Sequence, residues 1–350
     1  MFKKTRPAAL LISLLSAAAS FAQQNTTPQP PPLPTTDRAI RLDVVVTPKS
    51  GGQPVAGLEQ QDFTLLDNKA PQPITSFRAF SGASTPVEVI LLIDAVNTGF
   101  QTIAYERGQI DNFLRANGGK LAHPVKLAIF GDTGTQIQGS FSTDGNAIAA
   151  EFDKQTVALR AITRTAGFYG AEDRLDLSLR ALAQLASAES TRPGRKLVLW
   201  VSPGWPIFSG PRVQLDGKQE QNLFNAIVET STQLRQAGIT LYNVNPLGSD
   251  ENPLRTFYYE EYLKGVSKPS QVNAGNLALQ VLATQSGGLV LNSSNDVTAL
   301  LQQAFADANA WYEISFQSAS TEPNEYHQIE VRVDKPGLIA RTRQGYYAQP

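Results

Sequence analysis

Two stretches of this chain, Val87-Glu88-Val89-Ile90-Leu91-Leu92-Ile93 and Lys196-Leu197-Val198-Leu199-Trp200-Val201, are almost continuously apolar. A strand with one wet face alternates polar and apolar residues. A run without that alternation fits a strand covered on both faces, as in a parallel sheet under helices. The surrounding sequence agrees. Phe100, Ile103, Ile110, Phe113 and Leu114 recur at helical spacing, as do Leu175, Leu179, Leu182 and Leu185, and 125–130 and 239–244 are further short apolar runs. A helix over 220–237 carries Leu223, Ile227 and Leu234 and stops before Gly238, placed as a C-terminal cap glycine should be. A helix ending near Ser286, the pair Gly287-Gly288 and a strand over 289–291 complete the alternation. This repetition predicts an α/β, Rossmann-like, doubly wound and mostly parallel sheet over 87–309.

The two ends read differently. Leu42, Val44 and Val46 begin a strand-rich block over 40–86, with turns at Ser50-Gly51-Gly52 and Asp67-Asn68. After a helix over 297–308, the stretches 311–316, 327–333 and 338–347 alternate as strands. Each end supplies only about 40 residues, marginal for an independent core. The expectation is therefore one small β-sandwich in which 310–350 pairs with 40–86; separate terminal domains are the alternative.

Ahead of the folded sequence, Lys3, Lys4 and Arg6 precede an apolar run over 8–19 and the small-x-small tripeptide Ser20-Phe21-Ala22. That is the form of a cleavable signal peptide over 1–22, the run being shorter than the roughly 20 residues a membrane span needs. A Pro/Gln-rich linker over 23–39 follows, containing Pro28-Gln29-Pro30-Pro31-Pro32. Export to the periplasm or outside the cell is expected, with no membrane span after cleavage.

Composition narrows the chemistry. Lys plus Arg total 30 against 31 Asp plus Glu, which gives no basic patch for nucleic acid. Cysteine is absent, which removes disulfides, thiolate metal sites and a Cys nucleophile. The two histidines, His123 and His327, have no second histidine at ligand spacing and read as solvated or hydrogen-bonded surface residues. Neither G-x-G-x-x-G, G-x-x-x-x-G-K nor G-x-S-x-G occurs, and the acidic pairs Glu172-Asp173 and Glu260-Glu261 lie in polar sequence. No catalytic constellation stands out, so the chain is expected not to be an enzyme.

In an open parallel sheet, ligands bind beyond the carboxyl ends of the central strands. There the first buried run ends in Asp94-Ala95-Val96-Asn97-Thr98. A carboxylate at the end of a buried strand is costly unless paired, hydrogen-bonded or metal-bound. Capping of the following helix is one role for it.

Asp94-x-Val96-x-Thr98 resembles the metal-ion-dependent adhesion loop, DxSxS, of von Willebrand factor A domains. From about Arg41 to Ala348 the chain resembles, more specifically, the secreted bacterial VWFA-related domain proteins. Matching strings are Leu42-Asp43-Val44-Val45-Val46-Thr47, Gly57-Leu58 with Asp62-Phe63-Thr64, and Leu91-Leu92-Ile93-Asp94. Phe141-Ser142-Thr143-Asp144, Pro193-Gly194-Arg195-Lys196 and Arg341-x-Arg343-x-Gly345-Tyr346-Tyr347 follow in order. The resemblance implies a von Willebrand factor A-like fold and a metal site in which Asp94 and Thr98 match first-loop ligands and Ser178 the second-loop hydroxyl. Val96 stands at a hydroxyl position, and Ser202-Pro203-Gly204 lacks the third-loop Asp. The resemblance thus implies no cofactor, or at most weak binding of Mg²⁺ or another divalent cation.

Two loops at the carboxyl ends of strands carry aromatic residues suited to anchoring a partner: Trp205 and Phe208 in one, Tyr258 and Tyr259 in the other. Packing of these rings onto their own domain is the alternative. The expected function is non-enzymatic, adhesion-type binding of a protein or of a cell-envelope or extracellular component. An envelope assembly scaffold and an exported hydrolase are the alternatives. Signal-peptide cleavage after Ala22 makes Gln23 the mature N-terminus. The intact mass of the exported protein should lack residues 1–22, and a mass that retains them contradicts the cleavage.

Overall fold

The computed structural model describes residues 38–82, 85–156, 167–206, 215–248, 258–320 and 322–349. The expected signal peptide and most of the linker lie outside them. The strands are β1 (Ala39–Pro48), β2 (Phe63–Asp67), β3 (Ala70–Gln72), β4 (Ser76–Ser81), β5 (Val87–Asp94), β6 (Lys120–Gly131), β7 (Gly134–Asp144), β8 (Arg195–Val201), β9 (Ile239–Val244), β10 (Val290–Leu291), β11 (Ala310–Gln317), β12 (Tyr326–Val333), β13 (Leu338–Arg341) and β14 (Gly345–Tyr347). The helices are α1 (Phe100–Arg115), α2 (Gly145–Thr156), α3 (Gly167–Ser190), α4 (Gly217–Gln236), α5 (Leu279–Gln285) and α6 (Val297–Ala306). Regular structure begins at Ala39, so the linker expected to run through 39 ends one residue sooner.

The central sheet has the order β10-β9-β8-β5-β6-β7. β5, β6, β8, β9 and β10 are mutually parallel, and β7 returns antiparallel to β6. Numbered within this sheet alone, the order is 3-2-1-4-5-6 read from the β7 edge, the doubly wound, Rossmann-like arrangement. β5 explains why its sequence does not alternate. Val89, Leu91 and Ile93 point into a cluster with Ile110, Phe113 and Leu114 of α1 and Leu300 and Leu301 of α6. Ile90 and Leu92 point into a second cluster with Leu182 and Leu185 of α3 and Phe224 and Ile227 of α4. Each such side chain contributes roughly 1.5–3 kcal/mol on burial.

β7 has no counterpart in the sequence reading, because only Ile137 and Phe141 of it pack on the core. Its register with β6 is irregular between Lys120 and Leu127, across Pro124, a residue with no N–H for the ladder. In β8, Lys196 is buried, and its ammonium donates to the carbonyls of Glu189, Arg192 and Ala237 at the ends of α3 and α4. Cations suit helix C-termini, where carbonyl groups are left unpaired. A side chain on Gly288 would start 1.6 Å from the Leu241 carbonyl oxygen, so only glycine lets the chain pass into β10.

The terminal strands pair with one another. β1 lies between β13 and β11 in the sheet β13-β1-β11-β4, and the second sheet is β14-β12-β2-β3. Leu42 and Val44 of β1, Ile314 and Phe316 of β11, Phe63 and Leu65 of β2, and Ile329 and Val331 of β12 share one apolar cluster. The stretch 338–347, read as one strand, is two. β13 pairs with β1 and β14 with β12, and the chain crosses between sheets over 342–344. There Thr342 donates its hydroxyl to the Asp43 carbonyl, and the Gln344 amide donates to the Gln285 carbonyl.

Tyr312 is the polar clamp in this cluster. Its ring lies 5.0 Å from Phe63 and 5.8 Å from Phe77, while its hydroxyl accepts from the Leu58 amide (3.1 Å) and donates to the Val55 carbonyl (2.8 Å). Tyr312→Phe keeps the ring but leaves both backbone groups without that partner. Chemical denaturation should show a loss of about 1–3 kcal/mol. An unchanged midpoint contradicts the clamp.

Candidate functional site

The strand order reverses between β5 and β8, and a crevice beyond their carboxyl ends is the ligand position of a doubly wound sheet. β5 ends in Asp94, and Ser202 follows β8 directly. Both are fully buried.

Asp94 is the hub of a closed hydrogen-bond network. One carboxylate oxygen accepts from the Val96 amide (2.9 Å) and the Asn97 amide (2.8 Å). The other accepts from the Asn97 side-chain amide (2.9 Å), the Ser202 hydroxyl (2.8 Å) and the Trp200 indole (3.2 Å). Burial pushes the carboxyl above its ordinary range, and the bonds from Asn97, Ser202 and Trp200 pull it back. Asp94 therefore caps its own turn and not the helix, since the residue flanking α1 is Gly99. The Asn97 amide also donates to the Ser178 hydroxyl (3.0 Å), which donates in turn to the Arg174 carbonyl (2.7 Å) one turn back in α3.

The structure thus brings Asp94 and Ser178 together, with Thr98 buried in the same loop. The donor set does not fit a divalent cation. Mg²⁺ requires near-ideal octahedral oxygen coordination, and Ca²⁺ requires six to eight oxygens. Val96 offers no ligand atom and packs in the apolar cluster with Trp200. At the third loop Ser202 aims its hydrogen at Asp94. Between Asp94 and Ser178, where a shared ion would sit, lies the Asn97 nitrogen. The sequence reading overlooked Ser202 as a partner of Asp94.

It also missed Glu106. This α1 residue is 1% exposed, and neither carboxyl oxygen has a hydrogen-bond partner among the described residues. Burial, with a smaller contribution from the Asp94 charge, pushes it up to about 9, so it is neutral at physiological pH. A signal was available: Glu106 lies three residues after Ile103 and four before Ile110, on the apolar stripe of the helix.

The aromatic residues fare unevenly. Trp205 is a correction: it is 3% exposed and packs edge-on against Trp200 with ring centroids 5.0 Å apart, so it belongs to the core and is no exposed anchor. Such a pair is worth about 0.5–1.5 kcal/mol beyond its burial. Phe208 lies outside the described residues, as does the side chain of Tyr258. Tyr259 is half-buried in a short 3₁₀ turn. On the same rim, Tyr105 of α1 is 43% exposed and donates its hydroxyl to the Asn295 carbonyl in the loop after β10.

The histidines are a second correction, being hydrogen-bonded but buried. His123 contacts the Asn309 side chain at 2.9 Å, and His327 contacts Asp67 at 2.8 Å and Glu325 at 3.2 Å. Glu172, Asp173, Glu260 and Glu261 are exposed.

No protein-family model matches this chain, and no curated protein does. Solved structures are similar at low identity. A human COPII-coat protein has a TM-score of 0.36 and 10% identity, covering 78% of this chain and 46% of its own. The pilus adhesin SpaC from Lactobacillus rhamnosus GG, in its open conformation, has a TM-score of 0.37 and 10% identity, covering 83% and 48%. The VWA domain of SpRpn10 has a TM-score of 0.31 and 13% identity, covering 63% of this chain and 95% of that domain. The chain spans about half the length of the first two.

Glu106 makes stability pH-dependent. Its carboxyl ionises near 4.5 when unfolded and about 9 when folded. Between those values the unfolded state has released a proton that the native state keeps, so this contribution is complete below the lower value and is lost as pH rises. Glu106→Gln should flatten stability over that window. Near neutral pH it should raise stability by up to about 3 kcal/mol, a tenfold change in proton affinity being worth about 1.4 kcal/mol. Urea titrations at acid, neutral and alkaline pH test this; parallel curves for both proteins refute it.

Proposed function

We propose that this chain is an exported, von Willebrand factor A-like binding module, periplasmic or secreted, that recognises a protein or envelope component without catalysis or a bound metal. The terminal sheets act as a small β-sandwich supporting it. The observation that carries this reading is the closed network at the switch point. Asp94, Asn97, Ser178 and Ser202 are engaged with one another, so none is poised as nucleophile, base or ligand. Recognition then falls to the loops around the crevice, which leave β8, β9 and β10 on one rim. Tyr105 and Tyr259 supply aromatic surface there, and rigid aromatic side chains are effective interface anchors.

Photo-cross-linking residues placed at Tyr105 and Glu260 on the rim, and at Arg332 on β12 as a control, test this in the native cell. Adducts are expected from the rim positions, unaffected by EDTA. Adducts from Arg332 alone overturn the rim reading, and their loss in EDTA overturns metal independence. Turnover of any ester, peptide or glycoside by the purified protein overturns the non-enzymatic reading.

A further inference from the structure

At the amino end of β9, the other end of the central sheet from the Asp94 network, lies a small polar cavity lined by Arg41, Asp43, Arg235, Gly238 and Arg343, among others. Four separate segments build it. Arg41 and Asp43 alternate with Ile40, Leu42 and Val44, which face the terminal-strand cluster, so the two polar residues face the other way. Arg235 lies in the last turn of α4, and Arg343 in the crossing between β13 and β14. Gly238 ends the α4 cap with φ of 64°, and a side chain there would start 2.7 Å from the Arg41 guanidinium.

The charges at this cavity do not balance. Arg41 has Glu313 at 3.8 Å and Asp43 has Arg195 at 4.0 Å, while Asp43 Oδ1 is buried without a hydrogen-bond partner among the described residues, so three arginines line the cavity against this one carboxylate. Among the described residues, no carboxylate lies within ion-pair distance of Arg235 or Arg343. Arg343 is 8% exposed, Arg235 is half-buried, and the Arg235 Nε is buried without a hydrogen-bond partner among the described residues. Burial, and next the Arg235 charge, push Arg343 down to about 10, which still leaves it charged at neutral pH. A carboxyl in this position can take up a proton, as Glu106 does. A guanidinium cannot shed one, and Asp43 is the one carboxylate lining the cavity with the three arginines, which leaves a surplus of positive charge there.

We propose that this cavity binds a small inorganic anion of chloride size, held between the guanidinium groups of Arg235 and Arg343 with Arg41 at its mouth. A tetrahedral oxyanion is too large for the cavity, which has room for about one water-sized particle, and a halide is accommodated with the Arg41 side chain displaced at its mouth. Arg41, its side chain 37% exposed, is the group able to swing aside for exchange. Bound there, the ion would tie β1, the end of α4 and the β13–β14 crossing together.

Bromide-soaked crystals of the full chain provide the first test. An anomalous peak between Arg235 and Arg343 is expected; bromide confined to surface positions overturns the proposal. Melting in chloride and in gluconate at equal ionic strength gives the second. A higher Tm is expected in chloride, with sulfate falling short of it, because only a ligand of the native state stabilises it by mass action. Arg235→Met should abolish the difference between chloride and gluconate. Equal Tm values for the wild-type protein in the two salts, or a chloride-specific rise that survives in Arg235→Met, reject the site. If that variant does not fold, the bromide map of the wild-type protein decides.

Discussion

The constraint on which this structure depends is that β5 is covered on both faces. Its apolar residues divide between two helix layers, and its place beside β8 at the reversal of strand order draws Asp94 into the interior with it. A carboxyl group there must be compensated, and the loops after β5 and β8 are shaped by that demand. The backbone after Asp94 curls so that two amides reach one oxygen, and Asn97, Ser202 and Trp200 are aimed at the other. Through Asn97 the same network reaches Ser178 on α3, so three segments on either side of the reversal are held by one side chain.

Buried charge recurs across the molecule and is met in different ways. Asp94 is solvated by protein donors. Lys196 uses the unpaired carbonyls at the ends of two helices. Glu106, with no hydrogen-bond partner among the described residues, stays protonated. Glu313, in the middle of the terminal-strand sheet, is shared by Arg41 and Arg78. These solutions differ in what they cost at a given pH. The first two are met by fixed hydrogen-bonding groups of the protein, while protonation depends on solution conditions. The acidic residue that is neutral beside the switch point is thus the one most sensitive to environment.

Much of the scaffold was legible in the sequence. The unbroken runs of β5 and β8, the helical recurrence in α1 and α3, and Gly238 after α4 all carry local signals that survive folding, because burial on both faces and helix capping leave period and composition behind. β7 left too little, with only Ile137 and Phe141 against the core, and β13 and β14 alternate so continuously that their separation into two sheets is invisible. At the site, Asp94 and Ser178 could be matched by motif. The Asn97 amide between them could not, since a motif names residue types and not which atom faces which.

By itself the sequence determined the layers: which stretches are strands buried on both faces, which are helices, and that a carboxyl group closes the first strand. Those outcomes follow from hydrophobic period and chain connectivity, which are local. Tertiary structure decided the rest. It placed Trp205 against Trp200 and not in solvent, put Glu106 within reach of the Asp94 charge, and gathered Arg41, Arg235 and Arg343 from distant segments around one cavity. Whether a polar or aromatic group is exposed, neutralised or left to find a counter-ion depends on what packs beside it from elsewhere in the chain, and no local pattern carries that information.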